Sequence, residues 1–126
     1  MKILICGDRY WASYGWMRHY MLALGMEFGP FELIHGAARG ADSIAEKVAE
    51  DLRLTIHSFP AKWSEFGKAA GSIRNQQMLD EGKPDLVVAF HTDIEKSKGP
   101  KNMLERAKKT GVPTRLIQYV RGARIV

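Results

Sequence analysis

The chain has one cysteine, Cys6, in 126 residues. An internal disulfide is excluded, and a lone thiol suits a reducing compartment. Its place inside an apolar run marks it as a small core residue and not a nucleophile. Long apolar runs are also missing. The longest, such as Leu86–Phe90, are strand-sized and far short of the roughly 20 residues that span a bilayer. At the N-terminus, Ile3–Cys6 is followed at once by Asp8 and Arg9, too short and too soon charged for a signal peptide. A cytoplasmic protein with no membrane partner is expected. His19, His57 and His91 share no metal-ligand spacing with a cysteine or carboxylate cluster, so neither a metal nor another cofactor is expected. Repeats and low-complexity segments are lacking too.

What remains has ordinary globular composition, 45% hydrophobic and 26% charged. The length allows one core and not two. A net charge of +5 and a pI near 9.5 would attract polyanions. The cations are scattered, however, and Lys101, Arg106, Lys108 and Lys109 read as a solvated helix face. Charge alone does not choose between a nucleotide and a nucleic acid.

The pattern alternates strand and helix. Strands are expected at Lys2–Cys6, Phe31–Ile34, Leu54–Phe59, Asp85–Phe90 and Thr114–Tyr119. Between them, helical spacing predicts helices over about 11–26, with Tyr14, Met17, Met21, Leu22 and Leu24 recurring, and over about 40–52, with Ile44, Ala45, Val48 and Ala49 on one face. Two more are expected over about 71–81, stopped by Gly82 and Pro84, and over about 100–110, opened by Pro100. A loop is expected around Trp63. Such alternation implies right-handed crossovers and a mostly parallel five-stranded α/β sheet with helices on both faces. Residues 1–120 form one domain in this reading, and 121–126 a basic tail. Ligands of such sheets sit beyond the C-terminal strand ends, where the connection direction switches.

The chemistry-bearing residues follow strands. The first strand leads into Gly7-Asp8-Arg9, the second into His35-Gly36-Ala37-Ala38-Arg39-Gly40-Ala41-Asp42, and the fourth into Ser97-Lys98-Gly99-Pro100. Glycine lets backbone approach a ligand, and a glycine-rich turn feeding a helix can aim several N–H groups at a phosphate. Arg9 and Arg39 could neutralise that phosphate with paired hydrogen bonds.

Together with Phe59-Pro60-Ala61-x-Trp63, Gly67-Lys68-x-Ala70-Gly71 and Arg74-Asn75-x-x-Met78, these segments resemble the YspA/YpsA-related branch of the SLOG superfamily. The resemblance runs from Ile3 to Ile117. It implies a single Rossmann-like domain that binds a nucleotide or nucleotide-derived small molecule. The superfamily also includes LOG enzymes, which hydrolyse the N-glycosidic bond of nucleoside monophosphates, and the DNA-processing protein DprA. LOG enzymes carry Gly-Gly-x-Gly-Thr-x-x-Glu after the strand equivalent to Asp85–Phe90. Aligned on Gly99, the Thr becomes Pro100 and the Glu becomes Met103. Proline supplies no N–H or hydroxyl, and methionine cannot activate water. Glu105 lies two positions on, about 200° around the helix.

Arg74 is similar to the arginine of the LOG Arg-Lys-x-x-Met segment, with Asn75 replacing the lysine. The candidate ligand contacts are Gly7, Arg9, His35, Gly36, Arg39, Gly40, Ala41, Asp42, Arg74, Asn75, Ser97 and Gly99. Arg74 and Asp42 are the candidates for a catalytic role. Each has a plainer reading: Asp42 as a helix cap, His35 as a satisfied structural histidine, and Arg74 as half of a surface ion pair. Asp93 and Glu95 could supply an acid or base from the loop before Gly99, or simply face solvent. Tyr10 or Trp11 could stack on a base. Trp63 could roof the pocket or anchor its loop, and Lys68 could support a phosphate or merely be solvated.

The leading function is therefore nucleotide binding, as sensor, sequestering protein or processing enzyme. The alternatives are LOG-like N-glycosidic hydrolysis and DprA-like binding of single-stranded nucleic acid. Six methionines and several aromatics exceed what so small a core obviously needs, so a homo-oligomer is expected.

Overall fold

A computed structural model describes residues 1–9, 11–91 and 98–118. Five strands form one sheet: β1 Lys2–Gly7, β2 Glu32–His35, β3 Ile56–Ser58, β4 Leu86–His91 and β5 Thr114–Gln118. Their order is β3-β2-β1-β4-β5, and every pairing is parallel. The helices are α1 Tyr14–Phe28, α2 Ala41–Asp51, α3 Trp63–Phe66, α4 Ala70–Gln77 and α5 Lys98–Lys109. No helix among the described residues is long and apolar enough to cross a membrane.

Alternation along each strand builds two cores. Ile3 and Ile5 of β1, Leu33 of β2 and Leu86, Val88 and Phe90 of β4 face α1 and α2, packing on Met17, Met21, Leu24, Ala45 and Val48. Leu4, Cys6, Ile34, Val87 and Ala89 face the other way, onto Met78, Leu79, Met103, Leu104 and Ala107. Cys6 is buried, and burial pushes its thiol well above the usual range, which leaves it unreactive. Met103, where LOG enzymes have their glutamate, is fully buried in the second core. The chain runs outward from β1 to β3 and then returns to place β4 on the free side of β1. The switch point therefore lies beyond the ends of β1 and β4.

Several elements differ from the sequence expectation for local reasons. Helix α1 starts three residues late because Ser13 is its cap, its Oγ accepting from the Trp16 N–H at 3.2 Å. Leu22 is substantially exposed, one helical step outside the Met17–Met21–Leu24 stripe. Trp63 opens the one-turn helix α3 where a loop was expected, and a 3₁₀ turn at Gly67–Ala69 joins it to α4. The helix expected through Glu81 widens into a π turn at Met78–Gly82. Gly82 is buried beside Ile34 and Phe59, and the left-handed residue that ends the segment is Lys83, at φ 51°.

At the end of β1 the sheet closes so tightly that a side chain at Gly7 would overlap the Phe90 carbonyl and the Ala41 methyl. Gly25, inside α1, has open space where a methyl would go. Gly7→Ala is therefore expected to destabilise the fold by about 1–3 kcal/mol. Gly25→Ala should stabilise it by about 0.5–1 kcal/mol. Urea denaturation of the two variants checks both signs, and equal effects would refute the packing described at Gly7.

Candidate functional site

The turn after β2 is organised by a buried carboxylate. Asp42 lies in the first turn of α2, where it does not cap the helix. Instead its Oδ2 reaches back to accept from the N–H groups of Gly36 at 2.9 Å and Ala38 at 3.3 Å. The Ala37 N–H donates to His35 Nδ1 at 2.9 Å, and Ala37 takes a positive φ of 56°. Gly40, at φ 74°, presses on the Asp8 and Arg9 backbone, and the Ala41 N–H donates to the Asp8 carbonyl. The expected cradle of free amides is thus already engaged internally at Gly36, Ala37, Ala38 and Ala41. A buried amide without a partner is costly, and here the chain satisfies these groups itself.

His35 is 1% exposed, with its Nε2 3.3 Å from Glu46 Oε1. It takes no part in lining the cleft at the strand ends. Asp42 is also buried; it shapes the turn from beneath and is not among the residues that line the cleft. Burial raises the Asp42 carboxyl above its ordinary 3.8, opposed by the Ala38 amide, His35, Arg74 and the Gly36 amide.

Arg74, on α4, fastens this turn to the rest of the site. One of its terminal nitrogens donates to the Gly36 carbonyl, and its Nε donates to Asn75 Oδ1 at 3.0 Å. A side chain at Gly36 would collide with the guanidinium. Partial burial lowers the Arg74 pKa, and the Asp42 charge opposes that shift. The group stays protonated at neutral pH. Asn75 is buried and carries the link onward, its Nδ2 donating to Asn102 Oδ1 at 3.0 Å and to the Gly99 carbonyl at 3.3 Å. Arg106 donates to Asn102 Oδ1 at 3.0 Å and to Gln76 Oε1 at 2.9 Å. It braces α4 against α5 and is not part of a merely solvated face.

Above this network lies a cleft of about 650 Å³ at the switch point. Its lining includes Gly7, Asp8, Arg9, Ala38, Arg39, Trp63, Lys68, Arg74, Asn75, Lys98, Gly99 and Asn102. Five basic side chains and one carboxylate thus line a single opening, counted among the described residues. Of the sequence candidates, Gly7, Arg9, Arg39, Arg74, Asn75 and Gly99 come together here. Gly36, Gly40 and Ala41 build the wall from behind. Ser97, Tyr10, Asp93 and Glu95 lie outside the described residues.

The sequence places Asp8 in the chemistry-bearing turn but not among the expected ligand contacts, does not single out Asn102, and leaves Lys68 and Trp63 undecided. The signal for Asp8 was its place directly after a strand. For Asn102 there was none, because its partner is 27 residues away. Trp11 is 3% exposed and packs edge-on against Phe90, so it is a core residue and not a base platform. A second groove, of about 700 Å³, runs along the outer side of α4 past Ile73, Asp80, Glu81 and Arg106. It mixes charges of both signs and touches no strand end.

A fully parallel β3-β2-β1-β4-β5 sheet with a cationic cleft at its switch point defines a Rossmann-like α/β domain. The chain belongs to the YspA, cpYpsA-related SLOG family, whose profile matches residues 1–66. It is also similar to the Gene 61 protein of Mycobacterium phage D29, with 34% identity over 119 residues, 89% of this chain and 92% of that protein.

Because the folded chain binds the Asp42 proton more tightly than the unfolded chain does, stability from this group is fully present below pH 3.8. It is lost as the pH rises through the elevated folded value. Asp42→Asn keeps an acceptor for both amides without the charge. Its stability relative to the native protein should therefore improve as the pH rises from 3.8 towards neutrality. Asp42→Ala, which leaves two amides unpaired, should lose about 1–3 kcal/mol at neutral pH. Urea denaturation across the pH range checks both, and a relative gain by the native protein with rising pH would contradict the assignment.

Proposed function

We propose that the switch-point cleft binds a nucleotide or a nucleotide-derived phosphorylated small molecule. The observation that carries this reading is the convergence of Arg9, Arg39, Lys68, Arg74 and Lys98 on one opening. Cations gathered in a concave, partly dehydrated site focus positive potential far better than the same charges on open surface. Arginine forks suit phosphate oxygens. Arg74 is already committed to the Gly36 carbonyl and Asn75, so Arg9, Arg39, Lys68 and Lys98 carry the direct contacts and Arg74 holds the wall in place. With the turn amides engaged internally, side chains take the role that backbone N–H groups play in other phosphate loops. Membership in the SLOG family supports the same ligand class.

Binding without LOG-type hydrolysis is favoured, because the position of the LOG glutamate is taken by Met103, a buried thioether that cannot activate water. Hydrolysis, as a second reading, rests on Asp8, the carboxylate that does line it. In that version Asp8 would activate water or stabilise a developing oxocarbenium ion.

Isothermal titration with adenosine diphosphate is expected to show one site per chain, with affinity falling as salt is raised. Arg39→Ala and Lys98→Ala should each weaken it by about tenfold. Chromatography of the incubated mixture should return the nucleotide intact. Release of free base, abolished by Asp8→Asn, would replace the binder reading with the hydrolytic one. Binding that ignores both cation substitutions would remove the cleft from consideration.

A further inference from the structure

Trp63 is 61% exposed and lines the cationic cleft. It is the one aromatic side chain among the described residues that does so. Exposed apolar side chains are common singly on open surface, as with Met26 on the solvent side of α1. An indole inside a charged cleft is a different matter, since a nearby ligand can cover it.

The geometry suits a ligand that is flat at one end and anionic at the other. The Trp63 backbone is held in a defined turn: the Glu65 and Phe66 N–H groups donate to the Lys62 carbonyl, and the Gly67 N–H donates to that of Trp63. The tip of the indole reaches over α4 at Gly71, where a side-chain carbon would stand 3.5 Å from Cη2. Arg74 follows Gly71 by three residues, roughly 5 Å along the helix axis. An aromatic plate and a cationic wall thus stand about one helical turn apart. Among the described residues, Trp11 follows β1 but is already packed against Phe90.

We infer that Trp63 is the base-stacking platform of the cleft and selects ligands that carry a nucleobase over phosphorylated sugars that lack one. This rests on the nucleotide-binding reading and deepens it. Every base presents a π face, so such a platform discriminates base from no base and is tolerant among bases.

Adenosine monophosphate and ribose 5-phosphate carry the same phosphate and differ by the base. Titration calorimetry of both against the native protein, Trp63→Ala and Trp63→Phe separates the roles. The native protein should bind the nucleotide about tenfold or more tighter than the sugar phosphate. Trp63→Ala should lose about tenfold on the nucleotide and nothing on the sugar phosphate, and Trp63→Phe should recover most of that loss. The other three nucleoside monophosphates should respond to Trp63→Ala alike. Parallel losses on both probes would make Trp63 structural and overturn the inference. So would an unchanged affinity of Trp63→Ala for the nucleotide. Equal binding of the two probes by the native protein overturns the platform but leaves the phosphate cleft standing. Binding of neither overturns both.

Discussion

The Arg74 guanidinium is caught between the Gly36 carbonyl and the Asn75 side chain, and the geometry of the site depends on that capture. It joins the turn after β2 to α4. Through Asn75 and Asn102 it reaches the start of α5. Beneath it, Asp42 holds the same turn by two amides. Charges buried this deeply persist only when their hydrogen-bonding capacity is met. The Asp42–Gly36–Arg74 arrangement supplies part of it across elements that are distant in sequence. Removing any member exposes the others, so the turn, α4 and α5 hold one relative geometry.

This bracing bears on how the proposed site would meet an anion. A glycine-rich turn entering a helix usually offers free N–H groups. Here the Gly36 and Ala38 amides belong to Asp42, and the Ala37 amide belongs to His35. The turn behaves as a rigid shelf, and the charge that faces solvent comes from long side chains at its edge. Lysines and arginines adapt to a guest more readily than backbone does. Pro100 and the buried Met103 separate this chain from the LOG motif, and the carboxylate that lines the cleft is Asp8.

Much of the fold was legible because both sheet faces are covered, so runs such as Leu86–Phe90 stand out against charged helices. Glycine and proline marked the turns. The rule that ligands sit at strand ends was enough to single out Gly7, Arg9, Arg39 and Gly99. Short elements were harder. Helix α3 is four residues long, below the length at which periodicity has meaning. The sequence leaves the placement of Asp42 and His35 open because burial and partners decide it, and burial of a polar side chain leaves no local pattern. Asn102 and Arg106 were invisible for a related reason, since their contacts cross from α5 to α4. Trp63 could be recognised as a family position, but only the fold distinguishes an aromatic in a cleft from one anchoring a loop.

A crystal structure of the protein grown with adenosine diphosphate puts the central claim to its most direct test. The account predicts phosphate density within hydrogen-bonding reach of Arg9, Arg39 or Lys98, with Arg74 still donating to the Gly36 carbonyl and the Asp42 carboxylate still beneath the turn. A nucleotide seated in the outer groove beside Ile73, or an Arg74 that abandons Gly36 to grasp the phosphate, would contradict it.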